Sequence, residues 1–84
     1  MPMYTPKIRK TERGYLSILD IHSDGGVVTE PKGPWSIMEQ ATQDLAQRLE
    51  RGLAQTLGSS IKVGDRDFGQ DVGGALRALV ARTR

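Results

Sequence analysis

Asp20, His22 and Asp24 stand at i, i+2 and i+4, a spacing that puts all three side chains on one face of an extended strand. Two carboxylates and an imidazole so placed suit a metal ion or an acid–base pair. The set falls short of both. A zinc or iron site takes three convergent protein ligands with hydrogen-bonding partners behind them, yet His22 is the only histidine and Asp24 belongs to the turn signature Asp24-Gly25-Gly26. Solvated polar residues at a strand end account for the three.

Asp65, Asp67 and Asp71 occupy positions one, three and seven of a calcium-loop register, but the glycine required at position six is Gln70 and the chelating glutamate of position twelve is Leu76. Asp67-Phe68-Gly69 spells a kinase tripeptide without the other kinase parts. Ser17, Ser23, Ser36, Ser59 and Ser60 include no nucleophile elbow, and Gly64, Gly69, Gly73 and Gly74 match neither dinucleotide nor P-loop spacing. The sequence therefore assigns no catalytic residue, no metal and no cofactor, and reads as a non-enzymatic binding protein.

Residues suited to recognition remain. Lys7, Arg9, Lys10 and Arg13 crowd the first segment, with Tyr4 and Tyr15 close enough in sequence to stack on bases. Arg77, Arg82 and Arg84 gather at the other end. Trp35, the only tryptophan, follows Lys32-Gly33-Pro34 and serves either as a plug over the core or as an anchor for a partner.

The elements that must position these residues form an α+β plan. Residues 4–11, 14–22 and 26–30 read as a three-stranded antiparallel meander, with turns at Thr11-Glu12-Arg13-Gly14 and Asp24-Gly25-Gly26. The middle strand is apolar on both faces, Leu16 and Ile18 on one and Tyr15, Leu19 and Ile21 on the other, which predicts a central place in the sheet. Pro31-Lys32-Gly33-Pro34 then breaks the sheet, and Ser36 with Glu39 makes a capping box opening a helix over 36–57 that Gly58 stops. Its apolar stripe is Ile37, Met38, Ala41, Leu45, Leu49 and Leu53, and Asp44–Arg48 adds an i,i+4 pair of about 0.3 kcal/mol. Residues 60–63 read equally well as a fourth strand or an extended connector. A shorter helix follows over 70–82, where Gly73-Gly74 costs helix stability and points to close approach of another backbone.

Eighty-four residues with 37% apolar content allow one domain and one small core, and the absence of cysteine rules out disulfides and thiolate chemistry. No stretch approaches the ~20 apolar residues of a membrane span, which predicts a cytoplasmic protein without membrane contact. A net charge of +2 is too small to imply nucleic acid by itself, and acids at Glu12, Asp20 and Glu30 dilute the positive strands.

In size and in its meander-then-helix plan the chain resembles the small phage-encoded inhibitors of bacterial defence, the anti-CRISPR proteins. These share no motif, so no residues carry over. The resemblance implies a partner that is a larger protein or ribonucleoprotein complex in the host cytoplasm. Basic residues of the first strand, residues 4–11, whose charges suit an edge of the sheet, or of the C-terminal helix would engage its acidic or guide-RNA surfaces, with Trp35 as an anchor. Two alternatives stand beside it: a small nucleic-acid-binding domain using its basic three-stranded sheet, and an antitoxin-like or structural subunit that oligomerises, for example as a homodimer.

Overall fold

Glu12-Arg13 and Asp24-Gly25 form two-residue turns that fold the first third of the chain into a meander of β1 (Met3–Thr11), β2 (Gly14–Ser23) and β3 (Gly26–Trp35) in the computed structural model, which describes residues 2–83. The basic end at Arg84 lies outside the described residues. Positive φ falls on the first residue of the following strand, Gly14 and Gly26, rather than inside either turn pair. At Gly14 a side chain would also collide with the Trp35 carbonyl, so both the angle and the contact require glycine.

β3 runs through the prolines instead of stopping at residue 30. It is an outer strand, and its alternation turns the position of Pro31 toward solvent, where a missing N–H breaks no ladder bond. A register irregularity opposite Tyr15–Ser17 absorbs the Gly33-Pro34 step before Trp35 pairs with Tyr15.

Helix α1 (Met38–Gln55) is shorter than predicted at both ends, and the predicted capping box is absent. Gln40 Oε1, not a Ser36–Glu39 pair, accepts the N–H groups of Ser36 and Ile37 at 3.0 and 3.4 Å. Ile37 therefore sits outside the helix and is half exposed, while Ala41, Leu45 and Leu49 are fully buried. Gly58 takes φ +79° beyond the helix end, with Thr56 as the C-cap.

After α1 the sheet departs from the expected three or four antiparallel strands. It has five strands in the order β3-β2-β1-β4-β5 and is mixed: β4 (Ser60–Val63) pairs parallel to β1, and β5 (Arg66–Gly69) pairs antiparallel to β4, so β1, expected at an edge, is the middle strand. The physical reason is the length of α1. Eighteen residues span about 27 Å, enough to return the chain to the starting end of the sheet, so the next strand must run in the direction of β3 and hence of β1.

Helix α2 (Val72–Thr83) then packs beside α1 on the same face, closing a core of Tyr4, Leu19, Leu45, Leu49, Ile61, Val63, Ala75, Leu76 and Leu79. No backbone approaches Gly73-Gly74. Gly74 leaves room for the Asp71 carboxylate, which accepts the Gly74 N–H at 2.9 Å and caps the helix. No helix among the described residues is long and apolar enough to cross a membrane.

One polar cluster lies inside this apolar frame. Ser17 is fully buried, donates its hydroxyl proton to Asp44 Oδ2 at 2.6 Å, and accepts the Trp35 indole N–H at 2.8 Å. Arg48, 9% exposed, donates to Asp44 at 3.0 Å, to the Ser17 carbonyl at 3.3 Å and to the Glu30 carbonyl. The cluster ties α1 to β2 and β3, and removing its cation leaves the Asp44 carboxylate with the Ser17 hydroxyl alone and takes a donor from two carbonyls. Arg48→Met is expected to lower stability by about 2–4 kcal/mol in urea unfolding, far beyond the ~0.3 kcal/mol of an exposed i,i+4 pair. A change below about 0.5 kcal/mol would show that the cluster does not anchor the helix.

Candidate binding surface

Alternation along β1 divides the basic run. Tyr4, Pro6, Ile8 and Lys10 point to the helix-covered side, and Lys7 and Arg9 point to the side without helices. Arg13 stands in the β1–β2 turn, its N–H donating to Thr11 Oγ1 at 3.2 Å, and Arg77 is exposed on α2. Trp35 turns its N–H inward to Ser17 and is half buried, so its polar edge serves the sheet–helix junction. Tyr4 is 5% exposed, its ring lying where a Cβ on Gly52 of α1 would fall, and so offers no stacking platform. Of the two tyrosines only Tyr15 keeps a half-exposed ring.

The helix-free face of the meander is mixed in character. Leu16 and Ile18 form a half-buried apolar centre, flanked by Lys7, Arg9, Asp20, His22 and Thr29. Asp20, 8% exposed, receives Lys7 Nζ at 2.8 Å. That hydrogen bond, aided by Thr29, holds the Asp20 carboxyl below its ordinary value of 3.8 against the opposing effect of burial. One cation of the run is thus already paired within the fold.

Asp20, His22 and Asp24 do not assemble a ligand set, since Asp24 is in the hairpin turn and Asp20 is engaged by Lys7. Among the described residues no three metal-binding side chains converge. Two acids of 65–71 serve local geometry: Asp67 Oδ1 accepts the Gly69 N–H at 2.7 Å within the β4–β5 hairpin, and Asp71 caps α2.

The feature that sequence reading missed is a groove along one edge of β1. β4 pairs with β1 only at Met3 and Tyr4 and ends at Val63, so beyond Pro6 β1 has no strand beside it. An open groove of about 670 Å³ occupies that position, lined from both faces of β1 by Lys7, Ile8, Arg9 and Lys10, and across from it by Gly64, Leu79 and Arg82. Neither aspartate nor glutamate lines it. Arg82 lies against Gly64, which brings the C-terminal helix's cation to the same place as the N-terminal basic run. Nothing in the local sequence signals this meeting of residues 7–10 with residue 82.

The chain matches no family model, no curated protein and no solved structure.

Lys7→Gln is expected to raise the Asp20 pKa, because burial then acts without its main opponent. Carbon-detected NMR titration of the carboxyl checks this. Since the folded-state pKa lies below the unfolded one, the interaction stabilises the fold above pH 3.8 and is lost as pH falls further, so the variant should lose stability chiefly above that pH. An unchanged titration would show that Lys7 does not pair with Asp20 in solution.

Proposed function

We propose that this chain is a binding protein that docks its basic β1 groove on an acidic surface of a larger protein or ribonucleoprotein complex. By covering that surface it acts as an inhibitor or adaptor, in the manner of the small anti-CRISPR proteins. The observation that supports the reading is the β1 groove itself, where Arg9, Lys10 and Arg82 converge without a lining carboxylate, beside a Lys7 already paired with Asp20, although the whole chain carries only two net positive charges. Concentrating cations in one place on a nearly neutral molecule favours a local acidic partner over a uniform polyanion, because long-range steering by the net charge is weak while contact at the patch is strong.

Direct readout of duplex DNA by the sheet is the less supported alternative. Its face would present Leu16, Ile18 and Asp20 at the centre, and Asp20 neutralises one of the cations that phosphate contact requires. Single-strand recognition by stacking loses Tyr4, which is buried in the core.

Affinity capture of the tagged protein from nuclease-treated and untreated host lysates tests the reading. One stoichiometric protein complex is expected in both, with recovery falling at least about tenfold for the Arg9→Glu, Lys10→Glu double variant, as for loss of two interfacial charge contacts. Partners that vanish with nuclease, or recovery indifferent to the double variant, would overturn it.

A further inference from the structure

Resting on that reading, we infer that the groove is an open strand position, and that the partner contributes a short acidic segment that adds to the sheet beside β1. Backbone geometry carries the inference. Ser60 N–H donates to the Pro2 carbonyl at 3.3 Å, so Pro2 and, by strand alternation, Tyr4, Pro6, Ile8 and Lys10 turn their main-chain groups toward the β4 side. Thr5, Lys7, Arg9 and Thr11 turn theirs toward β2. β4 uses the positions of Pro2 and Tyr4 and turns away at Gly64 into the β5 hairpin. The N–H and C=O of Ile8 and Lys10 and the carbonyl of Pro6 therefore face the groove without a strand partner, over a length that suits about four residues of extended chain.

The two long edges of the meander are treated differently. The outer edge of β3 carries Pro31 where a donor would point to solvent, and Pro34 and the irregularity near Trp35 follow, the usual guards against strand addition. β1 carries a single proline, Pro6, at the start of its open stretch, and beyond it both residues facing the groove retain their donors. Charge is the remaining guard, and it selects as well as protects.

That charge commits the occupant's chemistry. An added strand would direct alternate side chains to the two sides of the sheet. On the helix side they meet Ile8 and Leu79, and on the other they meet Lys7 and Arg9. The fitting sequence alternates apolar with acidic residues, with Arg82 and Lys10 at hand for further carboxylates. A second copy of β1 does not fit, because its own Lys7, Arg9 and Lys10 would face these cations. Strand addition thus supplies main-chain affinity, and alternating pockets supply selectivity.

The test uses the full chain and a fluorescein-labelled peptide of alternating glutamate and valine, roughly eight residues long, beside the same peptide N-methylated at alternate amides and an oligothymidylate. The expected result has three parts. On binding the unmodified peptide, amide exchange at Ile8 and Lys10 slows at least about tenfold while Lys7 and Arg9, already paired to β2, do not change. The N-methylated peptide binds about tenfold or more weakly. Lys10→Pro, which removes a groove-facing donor, weakens binding about tenfold more than Lys10→Ala, which removes only the charge.

Equal binding of the two peptides, or uniform exchange protection along β1, overturns strand addition and leaves charge-driven docking on a protein intact. Binding of oligothymidylate without the peptide overturns it in favour of nucleic acid. Failure of both ligands also overturns it, while the lysate capture decides separately whether a protein partner exists. Should Lys10→Pro fail to fold, the N-methylated peptide tests the same main-chain bonds on the intact chain.

Discussion

Arg48 sits where one helix crosses two strands, and the rest of the architecture follows from what its guanidinium holds. It donates to the carbonyls of Ser17 on β2 and Glu30 on β3 while Asp44, one turn earlier on its own helix, balances the charge. Ser17 and the Trp35 indole complete the cluster, so no buried side-chain polar atom among the described residues lacks a partner. A buried ion pair of this kind adds little net stability over an apolar substitute, but its geometry is restrictive. It fixes α1 across the meander and so determines where the chain re-enters the sheet.

That re-entry creates the open edge. The helix delivers the chain beside the start of β1, β4 pairs there at two positions, and the Gly64 turn takes the chain away into β5. The second half of β1 projects past its neighbour on one side while remaining fully paired with β2 on the other. α2 then brings Leu79 and Arg82 alongside without filling the space. A strand edge in this state is an aggregation hazard unless it is covered or charged, and here the cations on both sides of β1 provide the charge.

Residues 60–63 read equally well as strand or connector, whereas the meander, the interior place of β2 and both helices were legible because each depends on local signals: alternation, turn residues and a helical stripe. The direction of β4 was not, because it depends on the return length of α1 rather than on Ser60–Val63 themselves. β5 was hidden by acidic residues that suggested a loop, although in a four-residue outer strand Asp67 is exposed and accepts the N–H of Gly69 at the strand's end. Pro31 suggested a strand end, and only the outer position of β3 reconciles it with a strand. The Asp44–Arg48 pair was visible at its spacing, but its importance comes from burial against carbonyls more than a dozen residues away. The basic run of β1 was equally visible, whereas its division between two faces, the pairing of Lys7 with Asp20 and the approach of Arg82 required the tertiary fold.

If the open edge of β1, and not the proline-guarded edge of β3, is where a partner docks, only residues lining that edge should lie within cross-linking reach of it. Site-specific photocrosslinking distinguishes the two edges, with benzoylphenylalanine placed at Lys10 in one sample and at Thr29 in another, followed by mass spectrometry of the cross-linked peptides from cell lysate. Docking at β1 predicts cross-links from position 10 to an acidic segment of one protein and none from position 29. Cross-links from position 29 alone, or from position 10 only to nucleic acid, would contradict it.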